Sequence, residues 1–157
     1  MTTLNRMPEI VPLTTKAPRH QDTKDLEMND NSISETEDRI AKGIVDAAFT
    51  VHKTLGPGLL ESIYETCLCH ELSKRNLSFW RQVRVPILYD GLVLEEGLRL
   101  DVLVENLIIC ELKSVELMNP VYEAQLMSQL KLTGKRLGFL INFNVPLIKR
   151  GIRRIIL

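Results

Sequence analysis

Asp101, Glu111 and Lys113 are the residues of this 157-residue chain whose types and spacing suit one piece of chemistry. They lie in the stretch LRLDVLVENLIICELK, residues 98–113, where two runs rich in leucine and β-branched residues meet at Glu105-Asn106 and predict a β-hairpin. A two-residue loop at Glu105-Asn106 would pair residue 101 with residue 110 and send the two carboxylates to opposite faces. A three-residue loop of Val104, Glu105 and Asn106 gives Asn106 the left-handed backbone it tolerates. It also pairs residue 103 with 107, 101 with 109 and 99 with 111. Leu100, Val102, Ile108, Cys110 and Leu112 then share an apolar face. On the other face Leu103, Leu107 and Ile109 sit near the turn, and Arg99, Asp101, Glu111 and Lys113 gather at the open end.

Two carboxylates held side by side repel unless a hard cation lies between them, and carboxylates with a backbone carbonyl, such as that of Leu112, are the oxygen ligands Mg²⁺ accepts. Lys113, one strand repeat beyond Glu111, points the same way. Its ammonium could hold a metal-activated water or meet the charge that grows on a phosphate under attack. The competing reading is an ion-pair cluster on a solvated strand end, since Glu-x-Lys is common.

The elements that must carry these groups read as one domain. Residues 1–33 are polar and lack apolar periodicity, which predicts a disordered N-terminal tail, and residues 34–157 form the folded domain. Ser34 to Glu37 fits a capping box, and Ile40, Ile44, Ala47, Ala48, Val51 and Leu55 follow at helical spacing, so a first helix is expected from about Glu35 to Leu55. Gly56-Pro57-Gly58 ends it. A second helix is expected from Leu59 or Leu60 to about Asn76, burying Leu60, Ile63, Tyr64, Cys67, Leu68 and Leu72. Glu61 falls in its first turn, where the helix dipole alone would favour a carboxylate. Tyr64 reads as a packing residue with a polar tip, and His52 as a surface or satisfied histidine.

Beyond Leu77 the period becomes two. Val83, Val85, Ile87 and Tyr89 alternate with polar or proline positions, and Asp90-Gly91 marks a turn before the central hairpin. Asn119-Pro120 starts a third helix that Gly134 closes, with Gln125 and Gln129 one turn apart. An apolar strand, residues 137–141, and a basic end that adds an edge strand or short helix complete the chain. The order helix, helix, strands, helix, strand predicts an α/β fold with a mixed β-sheet flanked by helices.

Composition excludes more than it selects. The 20 basic and 20 acidic residues balance, and there is no apolar run long enough to span a membrane. Nothing at the start resembles a secretory signal, so a cytoplasmic protein is expected. Cys67, Cys69 and Cys110 are spaced as reduced structural thiols rather than a metal site. From Ala124 onward no Asp or Glu occurs, whereas Lys149, Arg150, Arg153 and Arg154 all do, which makes the C-terminal segment a candidate footprint for a polyanion.

The run Gly58-Leu59-Leu60-Glu61-Ser62-Ile63-Tyr64 resembles the signature of the GxxExxY protein family, a branch of the PD-(D/E)XK nuclease superfamily. The likeness extends over residues 40–156 through Val51-His52-Lys53, Asp101, Glu111-Leu112-Lys113, Glu123-Ala124-Gln125-Leu126 and Leu140-Ile141-Asn142-Phe143. The resemblance implies a restriction-endonuclease-like core, Asp101 and Glu111 as ligands of Mg²⁺ or Mn²⁺, and Lys113 as the charge-stabilising lysine. It also implies Glu61 and Gln125 at the border of the site, and nucleic acid, DNA first, as the partner, with no membrane and with a dimer allowed. The superfamily's proline before the aspartate is Leu100 here. Four residues after Gln125, where relatives often carry tyrosine, stands Gln129. The function so implied is hydrolysis of phosphodiester bonds; the alternative is a non-catalytic binding module on the same fold.

Overall fold

A computed structural model describes residues 7–11 and 32–157. The tail predicted to be disordered falls mostly on residues 1–6 and 12–31, outside the described residues. Within it, Ile10 and Ile33 are partly buried against the two apolar clusters of the domain.

The elements are α1 (Glu35–Leu55), α2 (Glu61–Lys74), β1 (Phe79–Tyr89), β2 (Leu92–Val104), β3 (Ile108–Lys113), α3 (Pro120–Thr133), β4 (Leu137–Asn142), α4 (Ile148–Gly151) and β5 (Ile152–Ile156). One mixed sheet runs in the order β1-β2-β3-β4-β5, with β3 and β4 parallel and the other neighbours antiparallel. α1 and α2 cover one face through Ile44, Ala48, Leu68 and Leu72, packed on Val102, Ile108, Cys110 and Phe139. α3 covers the other through Leu126 and Leu130 on Leu103, Ile109 and Leu140. Each fully buried leucine contributes about 1.5–3 kcal/mol. Gly138 sets the closeness of α3, because a Cβ there would come within 2.9 Å of Leu126. Among the described residues no helix is long and apolar enough to cross a membrane.

Local signals explain the boundaries. The Ser34 hydroxyl accepts the Glu37 N–H while Glu37 reaches back to the Ser34 backbone, so the capping box forms. Asn119 accepts the Val121 N–H, Pro120 opens α3, and Gly134 ends it at φ 66°. Asp90 and Gly91 both take positive φ in the β1–β2 turn. The basic C-terminal segment is both of its expected forms, the short α4 and the edge strand β5.

Three expectations are corrected. The hairpin loop has three residues, but they are Glu105, Asn106 and Leu107, since Val104 pairs with Ile108 and Val102 with Cys110. Shifting the loop by one lets Val104 join Ile108 in the core while Leu107, 36 % exposed, takes the loop. Asn106 is left-handed as expected, and so is Glu105. The second correction is the stripe of α2: Tyr64, Leu68 and Leu72 are buried as expected, but Cys69 joins them fully, Cys67 packs against the same cluster only partly buried, and Leu60 and Ile63 face solvent. Buried Glu65 takes part of the packed face instead, because Arg81 and Gln82 of β1 hydrogen-bond its carboxylate at 2.7 and 2.6 Å.

The third correction is Leu100, which packs with Leu103, Val83 and Val85 rather than with Val102. Simple alternation would separate Leu100 from Leu103. The alternation inverts here: Gln82, between the Arg81–Val102 and Val83–Leu100 pairs, has φ 49°. Farther out the β1–β2 ribbon bends again, with a register shift between Val85 and Ile87 opposite Gly97. A Cβ at Gly97 would lie 2.7 Å from the Ile87 backbone nitrogen, so glycine is required there.

Candidate active site

The site is made by a separation of strands. β2 and β3 pair only from Val102–Cys110 to Val104–Ile108, although β3 runs on to Lys113 and β2 begins at Leu92. Past Cys110, β3 keeps its parallel pairing to β4, and β2 leaves with β1. Asp101 and Glu111 are the first residues past the last pair on each strand. The Leu112 N–H is hydrogen-bonded not to a β2 carbonyl but to Asp101 Oδ2, at 2.9 Å. That bond fixes the Asp101 carboxylate in the gap.

A cleft of about 410 Å³ opens there, and Glu61, Asp101, Glu111, Lys113 and Gln125 all line it. Each comes from a different part of the chain. Glu61 is the first residue of α2, Asp101 and Glu111 flank the strand separation, Lys113 ends β3, and Gln125 lies in the second turn of α3. Asp101 and Glu111 are buried, at 8 % and 3 % exposure. Lys113 Nζ donates to Glu111 Oε1 at 3.0 Å and lies 5.0 Å from the centre of the Tyr122 ring.

Burial pushes the Asp101 carboxyl up to about 6, with the neighbouring Glu111 and Glu61 adding to the rise against the Leu112 N–H and Lys113. Glu61 is raised by burial, and Glu111 and Glu65 reinforce it against Lys113 and Arg99. Burial works to discharge Lys113, but the hydrogen bond to Glu111 and the surrounding carboxylates outweigh it and raise the ammonium. Around Asp101 and Glu111 the carboxylates therefore crowd together, with the Lys113 ammonium as the cation bonded directly to one of them.

Two residues stand behind the cleft in roles the sequence did not suggest. Gln129 Nε2 donates to Glu111 Oε2 at 3.0 Å, so both carboxylate oxygens of Glu111 are held, one by Lys113 and one by Gln129. Gln125 lines the cleft, and Gln129, one turn deeper, is buried. Their shared spacing was the only signal, and it does not say which glutamine meets the carboxylate. Tyr64 is fully buried and stacked on Phe143 at 4.6 Å; its hydroxyl donates to the Gly56 carbonyl at 2.6 Å and accepts the Leu59 N–H at 3.1 Å. It thus clamps the loop whose end delivers Glu61.

The flank of β3 is tied down as well. Asn142, 1 % exposed, exchanges hydrogen bonds with Val115 in both directions, and the Phe143 N–H donates to the Lys113 carbonyl at 2.9 Å. Ser114 Oγ donates to the Leu59 carbonyl at 2.6 Å, joining the end of β3 to the start of α2. His52 lies outside the cleft, its Nε2 hydrogen-bonded to the Val145 carbonyl at 2.7 Å. Cys69 is buried, its thiol pushed up to about 12 by burial, and Cys110 is raised by burial as well.

Lys149, Arg150, Arg153 and Arg154 do not line the cleft. Strand alternation splits the last two across the sheet: Arg153 pairs with Glu123 of α3 at 2.9 Å, and Arg154 lies in a groove beside Asp38 and Lys42 of α1. They do not form one basic patch with each other.

Replacing Tyr64 by phenylalanine should cost about 0.5–1.5 kcal/mol, because the part-buried hydrogen bonds to the Gly56 carbonyl and the Leu59 N–H would be lost while the ring packing is kept. Urea unfolding measures this, and a loss below about 0.5 kcal/mol would mean that water replaces the hydroxyl freely.

A mixed five-stranded sheet between helices, split to hold Asp, Glu-x-Lys and a helix-borne glutamate in one cleft, defines a restriction-endonuclease-like fold. A family model described as the PD-(D/E)XK nuclease superfamily matches residues 38–155, and the chain belongs to that superfamily. No curated protein and no solved structure matches the chain significantly.

Proposed function

We propose that this protein is a metal-dependent nuclease that hydrolyses phosphodiester bonds, with DNA as its substrate and Mg²⁺ or Mn²⁺ as its cofactor. The observation that carries the reading is the pair Asp101 and Glu111, buried in one cleft with Lys113 hydrogen-bonded to the second.

The donor set fits a hard divalent cation. Asp101 is raised by burial beside Glu111, a strain that a bound cation would relieve. Gln129 Oε1 is buried and without a partner, an acceptor suited to a coordinated water. Among the described residues no group of three or more acidic, histidine or cysteine side chains converges to hold a metal. The direct protein ligands would therefore be Asp101 and Glu111 with the Leu112 carbonyl, and Glu61 would act through water, as suits an ion that keeps several waters. When bound, the metal lowers the pKa of water and draws charge from the phosphoryl oxygens.

The chain's own residues do the rest. Gln129 and the Leu112 N–H orient the two carboxylates. Lys113, kept cationic by Glu111, faces the growing negative charge on the phosphate or holds the attacking water. Glu61, whose raised carboxyl sits nearer neutrality, is placed to take a proton from that water. Gln125 lines the far wall, available to the substrate backbone.

Cleavage of single-stranded, duplex and branched DNA, and of RNA, by the purified full chain with Mg²⁺, Mn²⁺ or EDTA tests the proposal. Hydrolysis that requires the metal is the expected result. Tight binding with no cleavage of any form would make the protein a binding module instead.

A further inference from the structure

Arg84 and Arg99 are directly opposite each other in the β1–β2 ladder, and both line the acidic cleft. Like charges at directly opposed positions destabilise an antiparallel pair. Alternation in the ribbon sends Val83, Val85, Leu98 and Leu100 into the cluster under α3, which turns the two arginines to the other side, toward the cleft. Arg84 pairs with Glu96 at 2.6 Å, but both side chains are more than 70 % exposed, so the pair is weak and easily exchanged. Arg99 has no hydrogen-bond or ion-pair partner among the described residues.

A nucleic-acid strand that brings one phosphate to Asp101 and Glu111 must bring its neighbours past the same carboxylates. Glu61, Asp101 and Glu111 repel them, and Lys113 is already engaged with Glu111. Guanidinium forks bind phosphate in a two-pronged geometry that lysine does not match. We infer that Arg84 and Arg99 form a phosphate clamp on the ribbon wall of the cleft, gripping the substrate backbone beside the scissile bond. The clamp rests on the nuclease reading.

The test uses the full chain and short fluorescein-labelled DNA, single-stranded and duplex. Binding is followed by anisotropy with Ca²⁺ in place of Mg²⁺, and cleavage is followed separately with Mg²⁺. Arg84→Gln and Arg99→Gln should each weaken binding about tenfold, the size of one charge-assisted hydrogen bond. Each should lower the slope of log affinity against log salt by about one. KM should rise with kcat within about twofold, a split that a merely structural role would not produce. Arg99→Lys should recover only part of the affinity, because it restores charge without the fork. Removing the same charge outside the cleft, with Lys42→Gln on α1 and Lys74→Gln at the opposite end of α2 from Glu61, should change neither constant.

A double variant that binds with the wild-type affinity and salt slope overturns the clamp, even while cleavage stands. Arginine-dependent binding without cleavage by any form supports the clamp and overturns the hydrolytic reading. A wild-type protein that neither binds nor cuts these DNAs overturns both.

Discussion

Asp101→Asn should make the metal-free protein more stable at pH 8 while removing its Mg²⁺-dependent activity. The carboxyl sits at about 6 in the fold against an ordinary 3.8, chiefly because it is buried and beside Glu111. Between those values the unfolded chain has lost the proton that the folded chain keeps, so stability falls as pH rises through that window, and the deficit persists above it. A displacement of that size corresponds to at most about 3 kcal/mol. Asparagine keeps an oxygen for the Leu112 N–H and carries no charge to desolvate, so a gain of about 1–2 kcal/mol is expected at pH 8 and almost none at pH 4. Mg²⁺ should raise the melting temperature of the wild type and not that of the variant. Unfolding in urea with EDTA at both pH values measures the difference. A variant no more stable than wild type at pH 8 would mean that the carboxylate is neutralised within the protein without a metal.

Lys113→Ala should lower kcat by about two orders of magnitude or more while Mg²⁺ still binds. Lys113 approaches Glu111 with only one Nζ contact, at 3.0 Å, and it is not itself an oxygen donor, so its removal leaves the ligand set whole. Glu111→Gln removes a ligand charge and should lose metal affinity and activity together, with little rescue by excess metal. Calorimetry of Mg²⁺ binding beside single-turnover cleavage separates the two. Equal loss of metal affinity in Lys113→Ala and Glu111→Gln would show that the lysine holds Glu111 in place rather than serving the transition state.

The fold was legible where a local rule had one solution. The capping box at Ser34, the Asn119-Pro120 start, Gly134 and the Asp90-Gly91 turn each fix a boundary with a few adjacent residues. Loop parity brought Asp101 beside Glu111 for the same reason, because a loop of odd length preserves the relative faces of the strand residues next to it even when its position slips by one; it failed at Leu100, past the inversion at Gln82. That slip is what the sequence could not resolve: Val104 and Leu107 are both apolar, and only the core beneath decides which is buried. The stripe of α2 was misjudged because Glu65, a charged residue, is stabilised inside by Arg81 and Gln82, partners that lie 16 and 17 positions away. Gln129 was hidden likewise, since its tie to Glu111 spans 18 positions. Arg153 and Arg154 look like one basic cluster in the sequence and are parted by the pleat.

The separation of β2 from β3 makes the sheet two bodies sharing a short joint. β3, β4 and β5 form a scaffold, β1 and β2 form an arm, and three residue pairs, from Val102–Cys110 to Val104–Ile108, connect them within the sheet. Asp101 rides on the arm and Glu111 on the scaffold. The distance between the two carboxylates is therefore set by the angle at that joint together with the Leu112–Asp101 hydrogen bond across the gap, and Val102, Val104, Ile108 and Cys110, all fully buried, are its bearing. A substitution there that alters side-chain volume acts on the site as a lever acts on its jaws, changing the gap without touching anything in it.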